Sequence, residues 1–260
     1  MEMDQIYSEG SRRLFEELDV SLDPPGPDSL FEVAAPFLEP GGHILDVGCR
    51  DARHLVTLVE RHAGTGSGVD PVPWHVERAR LAVREAGLED RITVRRGVAE
   101  DLAEASGSVD TVWCRDVVEV LPDLDGALAE MRRVLRPGGH VVIYTNVLNG
   151  PLDPVETRDI HEPLGNVAGN LVEEDLEAAF ARHDLRIVRR DVVGTRWREF
   201  IEEHEQWVSR DLLRLARLRR TRDRVIERHG ADAFRTAQAS LQWGVNQLLG
   251  RFVPMIYVLR

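Results

Sequence analysis

A chain of 260 residues, 43% of them hydrophobic, has enough apolar material for one substantial core, so a single domain with an elaboration is expected. Its formal net charge of -12 argues against a broad nucleic-acid or anionic-membrane surface, since both need clustered positive charge. Its basic side chains other than histidine are all arginine, which reads as composition bias and not as function.

The first segment, DQIYSEGSRRLFEELDVSLDPPG, predicts a short helix closed by a Pro/Gly loop, suited to covering a crevice or to packing on a sheet edge. The acidic opening residues, and the lack of any apolar run long enough to span a bilayer, predict a cytoplasmic protein without a membrane partner. From residue 43 to 146, short apolar runs alternate with amphipathic stretches, the pattern of parallel strands joined by crossover helices. Strands are predicted at HILDVG, GSGVD, RITVRR, SVDTVWC and GHVVIYTN. Helices fill the intervals, as in HVERARLAVREAG and LDGALAEMRRVLRPGG, where Pro137 is expected to stop the helix and Gly138 and Gly139 to turn the chain. Two further strands, LRIVRRDVV and FVPMIYVL, are separated by a long connection, residues 194–250, that reads as helical throughout.

The predicted class is therefore α/β: a doubly wound, mostly parallel sheet with a helical insertion before the last strand. It divides into a helical cap (1–40), a core (41–193), the insertion (194–250) and the final strand (251–260). Two cysteines, Cys49 and Cys114, are too few for a disulfide framework, and no Cys/His cluster has the spacing of metal ligands. No metal is expected.

Ligands of such sheets lie outside the carboxyl ends of the strands, where strand order reverses. That groups Gly48 to Arg53, Asp70, Ala99 to Asp101 and Arg115 to Val117 around one crevice. The first loop, ILDVGCRDARHL, keeps Gly48 but has Arg50 and Ala52 where a dinucleotide loop places two more glycines. Asp46 and Asp51 would also repel a diphosphate at short range. A cofactor carrying positive charge suits them better.

The ordered series LDVGC, GVDP with its acid 22 residues beyond Gly48, GVAED, DTVWCRDVVEVL and RVLRPGGHVVIY resembles the class I S-adenosylmethionine-dependent methyltransferases over residues 30 to 146. The resemblance implies a Rossmann-like core, S-adenosyl-L-methionine as cofactor, and methyl transfer to a small, largely apolar metabolite. Asp46, Gly48 and Cys49 would then lie at the methionine end, flanked by Arg115, Asp116 and Val117. Asp70, followed by Pro71, would accept the ribose hydroxyls, and Val98, Ala99 and Glu100 would frame the adenine. Arg50 either pairs with the cofactor carboxylate or turns to solvent, and its position demands an open loop or a strained backbone. A plain turn for Asp70 and a helix cap for Glu100 are the structural alternatives. Glu119 and Val120 stand where many relatives have Glu-His, so a histidine function is not carried over there.

On the acceptor side the candidates for a general base are His161, after the fifth strand, and His204, in the insertion. Tyr7, Trp113, Trp197, Trp207 and Trp243 are the candidate walls of an apolar pocket. The tryptophans serve equally well as core or as a homodimer contact. The run RDLLRLARLRRTRDR raises RNA modification as an alternative, but Asp211 and Asp223 interrupt its charge and Leu212, Leu215 and Leu218 form an apolar stripe. The expected partner is thus a small-molecule acceptor and not nucleic acid, with a non-methylating reaction such as a cyclisation as the other alternative.

Overall fold

The computed structural model describes residues 9–151 and 153–260. Seven strands form one sheet: β1 His43–Val47, β2 Thr65–Asp70, β3 Ile92–Arg96, β4 Val109–Arg115, β5 Leu135–Leu148, β6 Ile187–Val192 and β7 Phe252–Leu259. Their order is β3-β2-β1-β4-β5-β7-β6. The first five are parallel and β7 runs antiparallel between β5 and β6. Strand order reverses between β1 and β4, which opens a crevice at their carboxyl ends.

The strands are apolar on both faces because helices cover both. Side chains alternate with the two-residue period of a strand: Leu45, Val47, Val112, Cys114 and Ile143 enter one core layer, and Ile44, Trp113, Val142 and Tyr144 the other. The helices are α1 Glu9–Leu18, α2 Ser29–Ala34, α3 Arg53–His62, α4 Pro73–Glu85, α5 Leu124–Val134 and α6 Glu173–Arg182. The first layer is closed by α5 and α6 through Leu128, Met131, Leu176 and Phe180, the second by α2, α3 and α4 through Leu30, Leu55, Leu58 and Ala79. Each leucine, methionine or phenylalanine among these contributes roughly 1.5–3 kcal/mol by leaving water.

Asp123 caps α5 by accepting from the Gly126 amide at 2.9 Å. The helix ends at Val134, before Pro137, because Leu135 already pairs with Val109 as the first residue of β5. Gly138, at φ +88°, lies in the bulge where the β4/β5 register shifts. The insertion comprises α7 Arg196–Glu205, α8 Trp207–Arg220, α9 Arg222–His229 and α10 Ala231–Leu248. Gln206, at φ +55°, and Gly230, at φ +89°, separate α7 from α8 and α9 from α10. Of the expected leucine stripe only Leu215 is buried, while Leu212 is 48% exposed. The helix α1 is exposed along its described length, and the loop that follows, Gly26 to Ser29, is the part that reaches the crevice.

Candidate active site

The loop after β1 folds as a tight turn despite its single glycine. The Gly48 and Cys49 amides both donate to the Val69 carbonyl, at 2.8 and 3.1 Å, and the Ala52 amide donates to the Cys49 carbonyl at 2.7 Å. Gly48 is required twice over: its φ is +73°, and a Cβ there would lie 2.3 Å from Val117 Cγ2. Arg50 and Ala52 take the left-handed conformation as well, at φ +50° and +57°. A side chain in that region costs roughly 1–2 kcal/mol per residue. The loop therefore keeps its shape by strain, and the Arg50 side chain stays exposed.

Asp70 anchors this strain. It is 4% exposed; its Oδ2 accepts from the Arg50 amide at 3.0 Å, and its Oδ1 accepts from the Val72 amide at 2.9 Å and meets His75 Nδ1 at 3.0 Å. Asp46, one strand over, is 3% exposed. Burial, then the neighbouring Asp70, pushes its pKa up to about 8 against the opposing pull of Arg115. Burial likewise raises the Cys49 thiol, which is therefore no nucleophile at neutral pH.

These groups open onto a cavity of about 1280 Å³ that runs from the β2 and β3 ends, across β1 and β4, to the inserted helices. Its first arm is lined by Asp46, Gly48, Cys49, Arg50, Asp70, Pro71, Val98, Ala99 and Glu100. Arg115, Asp116 and Val117 stand at its middle. Arg115 Nε lies 3.3 Å from Asp116 Oδ2, its guanidinium covers the Tyr144 ring at 5.4 Å, and Nη1 donates to His54 Nε2. Burial, then Arg115, lowers the His54 pKa to about 4, so its ring is neutral and accepts that bond. Asp116 holds its side chain toward the cavity from a left-handed backbone, φ +55°, with its amide donating to the Tyr144 carbonyl at 2.9 Å.

The second arm is aromatic. Trp113, Tyr144, Trp197, Phe200 and Trp207 line it. Trp197 stacks on Tyr144 at 4.8 Å and 10° between planes, and its Nε1 donates to Ser29 Oγ at 2.9 Å. Trp243 is not part of the lining: it packs on Phe252 at 4.6 Å and on His161 at 6.2 Å, beneath α10. Tyr7 lies outside the described residues.

Neither histidine expected as a base reaches the cavity. His161 is 1% exposed because the chain after β5 winds into a π-helical turn, Thr157–His161, that packs it against Trp243 and Phe252. Burial lowers its pKa. His204, exposed, donates its Nδ1 proton to the Phe200 carbonyl one helical turn back, at 2.8 Å, and stacks on the Phe200 ring at 4.2 Å. The residues that sequence reading missed are His54, Tyr144, Arg198, Phe200 and Gln247, all in the lining. Tyr144 sits at the carboxyl end of a predicted strand, a position that marks it as a site residue. The others reach the cavity only through tertiary packing.

An open α/β sheet with buried carboxylates at the ends of its first two strands and a deep aromatic arm beside them defines a cofactor-using enzyme fold. Residues 45–143 match the methyltransferase domain family. Over 158 residues the chain is 34% identical to the methyltransferase GfsG of Streptomyces halstedii, covering 60% of this chain and 50% of that protein. It thus spans half that relative's length. Among solved structures, it resembles the cyclase SpnF (TM-score 0.69, 22% identity, 90% of this chain and 80% of that one). It also resembles a geranyl diphosphate methyltransferase in complex with SAM (TM-score 0.64, 18% identity, 86% and 79%). Residues 45–143 thus carry a methyltransferase domain.

Proposed function

We propose that the protein transfers a methyl group from S-adenosyl-L-methionine to a small, largely apolar acceptor. The observation that carries this reading is one continuous cavity whose first arm is acidic and whose second arm is aromatic. Asp46 is 3% exposed, and burial and the neighbouring Asp70 disfavour its charge more than Arg115 favours it, so a ligand with positive charge relieves that penalty. Asp46, Gly48 and Cys49 would hold the methionine end, Asp70 and Pro71 the ribose, and Val98, Ala99 and Glu100 the adenine. Asp70 Oδ1 is shared by the Val72 amide and His75 Nδ1, whereas Oδ2 takes only the Arg50 amide and keeps a lone pair to accept from a ribose hydroxyl. When bound, the cofactor supplies an electrophilic methyl group on a sulfonium.

The rest of the chemistry falls to the chain. Trp113, Tyr144, Trp197 and Phe200 orient an apolar acceptor and exclude water from the reacting centre. Tyr144 stays protonated, its pKa raised by burial, and serves as a donor. For a hydroxyl acceptor, the Asp116 carboxylate is the group we assign to take the proton, since it faces the cavity while His54 is engaged by Arg115. In this reading residues 41–193 bind the cofactor and residues 194–250 wall the acceptor arm, with 1–40 as cap. Two buried free thiols, Cys49 and Cys114, suit a reducing, cytoplasmic setting; no helix among the described residues is long and apolar enough to cross a membrane.

Calorimetry tests the cofactor assignment. Asp70→Ala removes a charge-assisted contact worth about 1.5–3 kcal/mol and is expected to weaken S-adenosylhomocysteine binding by about one to two decades. Unchanged affinity in a folded variant contradicts it. The structural likeness to a cyclase supports a second reading, a ring closure in the same cavity, for which the acceptor would leave isomerised and unmethylated.

A further inference from the structure

We propose that the acceptor carries a planar two-oxygen anion, a carboxylate or the enolate of a 1,3-dicarbonyl, held by the free edge of the Arg198 guanidinium. The inference rests on the reading of the aromatic arm as the acceptor site and adds the chemical class of what enters it.

Arg198 stands on α7 in the cavity wall, next to the stacked pair Trp197 and Tyr144. Its Nε donates to Gln247 Oε1. Gln247, 2% exposed, donates from Nε2 to Asn146 Oδ1 at 2.5 Å. Asn146, 1% exposed, donates from its amide and from Nδ2 to Glu119 Oε1, at 3.1 and 3.0 Å. Three buried polar side chains on β5, α10 and the turn after β4 are thus strung together, and the string ends on one guanidinium. Buried polar groups are costly unless each is paired. Here the pairing fixes the rotation of the Arg198 plane at Nε and leaves Nη1 and Nη2 as an oriented fork.

That fork makes no direct ion pair, the carboxylates of Asp116 and Asp211 acting on it only from a distance. Among the described residues no carboxylate lies within 4.0 Å of Arg198, whereas the other guanidinium of this arm, Arg115, has Asp116 at 3.3 Å. His54 is neutral. The acceptor arm therefore holds the Arg115–Asp116 pair and a second guanidinium without a direct ion pair, in a largely aromatic wall whose other carboxylates, Asp28 and Glu205, make no salt bridge to it. Burial disfavours the Arg198 charge, and an anion seated on the fork relieves that penalty. A planar anion with two oxygens matches a guanidinium edge in a bidentate pair, and the flat Trp197–Tyr144 face beside it suits an unsaturated or aromatic body.

The test is calorimetry on the full chain, with and without saturating S-adenosylhomocysteine. The probes are 2-naphthoate and decanoate against their neutral isosteres, 2-naphthamide and decanamide. We expect at least one carboxylate to bind about tenfold or more tighter than its amide, and Arg198→Gln to abolish that preference while leaving amide and S-adenosylhomocysteine affinities within about twofold. Gln247→Leu, which frees the guanidinium without removing it, is expected to lose part of the preference, and Arg198→Lys to keep part of it. The proposal is overturned if amides bind as tightly as carboxylates, if the preference survives in Arg198→Gln, or if neither carboxylate binds under either condition. Failure of S-adenosylhomocysteine itself to bind the wild-type chain overturns the cofactor reading instead, and the comparison of acids with amides then stands on the chain alone.

Discussion

Arg50 shows how a single residue departs from its family's pattern without breaking the loop. Its backbone occupies the conformation a glycine would take freely, φ +50°, and its amide is spent on Asp70 Oδ2. Arg50→Gly is expected to stabilise the fold by about 0.5–1 kcal/mol, part of the left-handed cost being offset by a freer unfolded chain. A rise of a few degrees in melting temperature, with cofactor affinity within a few-fold, checks this; a tenfold loss of affinity makes Arg50 a carboxylate clamp. Asp46 carries the pH dependence. The unfolded chain loses this proton near pH 3.8 and the folded chain near pH 8, so its stabilising contribution is complete at low pH and is lost as pH rises through 8. A cationic ligand reverses the preference and expels the proton. Cofactor affinity should therefore rise from pH 6 to about pH 8 and then level, with release of up to about one proton at pH 7, seen as a buffer-dependent heat of binding. Asp46→Asn should flatten the profile; a flat profile in the wild type contradicts the assignment. Asp46 and Asp70 were legible in the sequence because each ends or nearly ends an apolar strand before a turn. Arg198 and Gln247 were not, since their bond joins positions 49 residues apart, and no local period encodes that meeting.

At the scale of elements, the insertion was legible as helix from its periodicity and length, but not the way its faces are divided. A break at Gln206, where no glycine marks the left-handed residue, swings Trp207 toward the cavity mouth, while α10 turns Trp243 inward onto Phe252. The same tertiary geometry removed His161 from the pocket its chain position suggested. The three tryptophans should accordingly separate by function. Trp197→Leu and Trp207→Leu are expected to raise the acceptor Michaelis constant by about three- to thirtyfold with little change in cofactor affinity, because only uniform binding surface is lost. Trp243→Leu is expected to leave kinetics unchanged and to lower stability by about 1–3 kcal/mol, a packing loss. If Trp243→Leu alone moves the Michaelis constant, or if Trp197→Leu and Trp207→Leu change only oligomeric state, the insertion is an assembly element and the acceptor lies elsewhere.

For the whole molecule, the sheet places two chemistries side by side. The order β3-β2-β1-β4-β5-β7-β6 brings the acidic turns after β1 and β2 next to Arg115 and Asp116 after β4. The antiparallel β7 returns the chain so that the insertion stands over the same end. The alternation of apolar and amphipathic runs foretold the parallel layers, since each strand is buried on both faces. Strand order was readable only through the resemblance, because pairing across the reversal between β1 and β4 joins segments more than sixty residues apart. The charge layout is consistent with an electropositive cofactor in one arm and an anionic, apolar-bodied acceptor in the other. The most direct test is to incubate the purified chain with methyl-labelled S-adenosylmethionine and a mixture of a small-molecule extract and total RNA, then follow the label. The account predicts label in low-mass, organic-extractable product with matching formation of S-adenosylhomocysteine. Label in RNA, or consumption of an acceptor while the labelled cofactor is recovered intact, contradicts it.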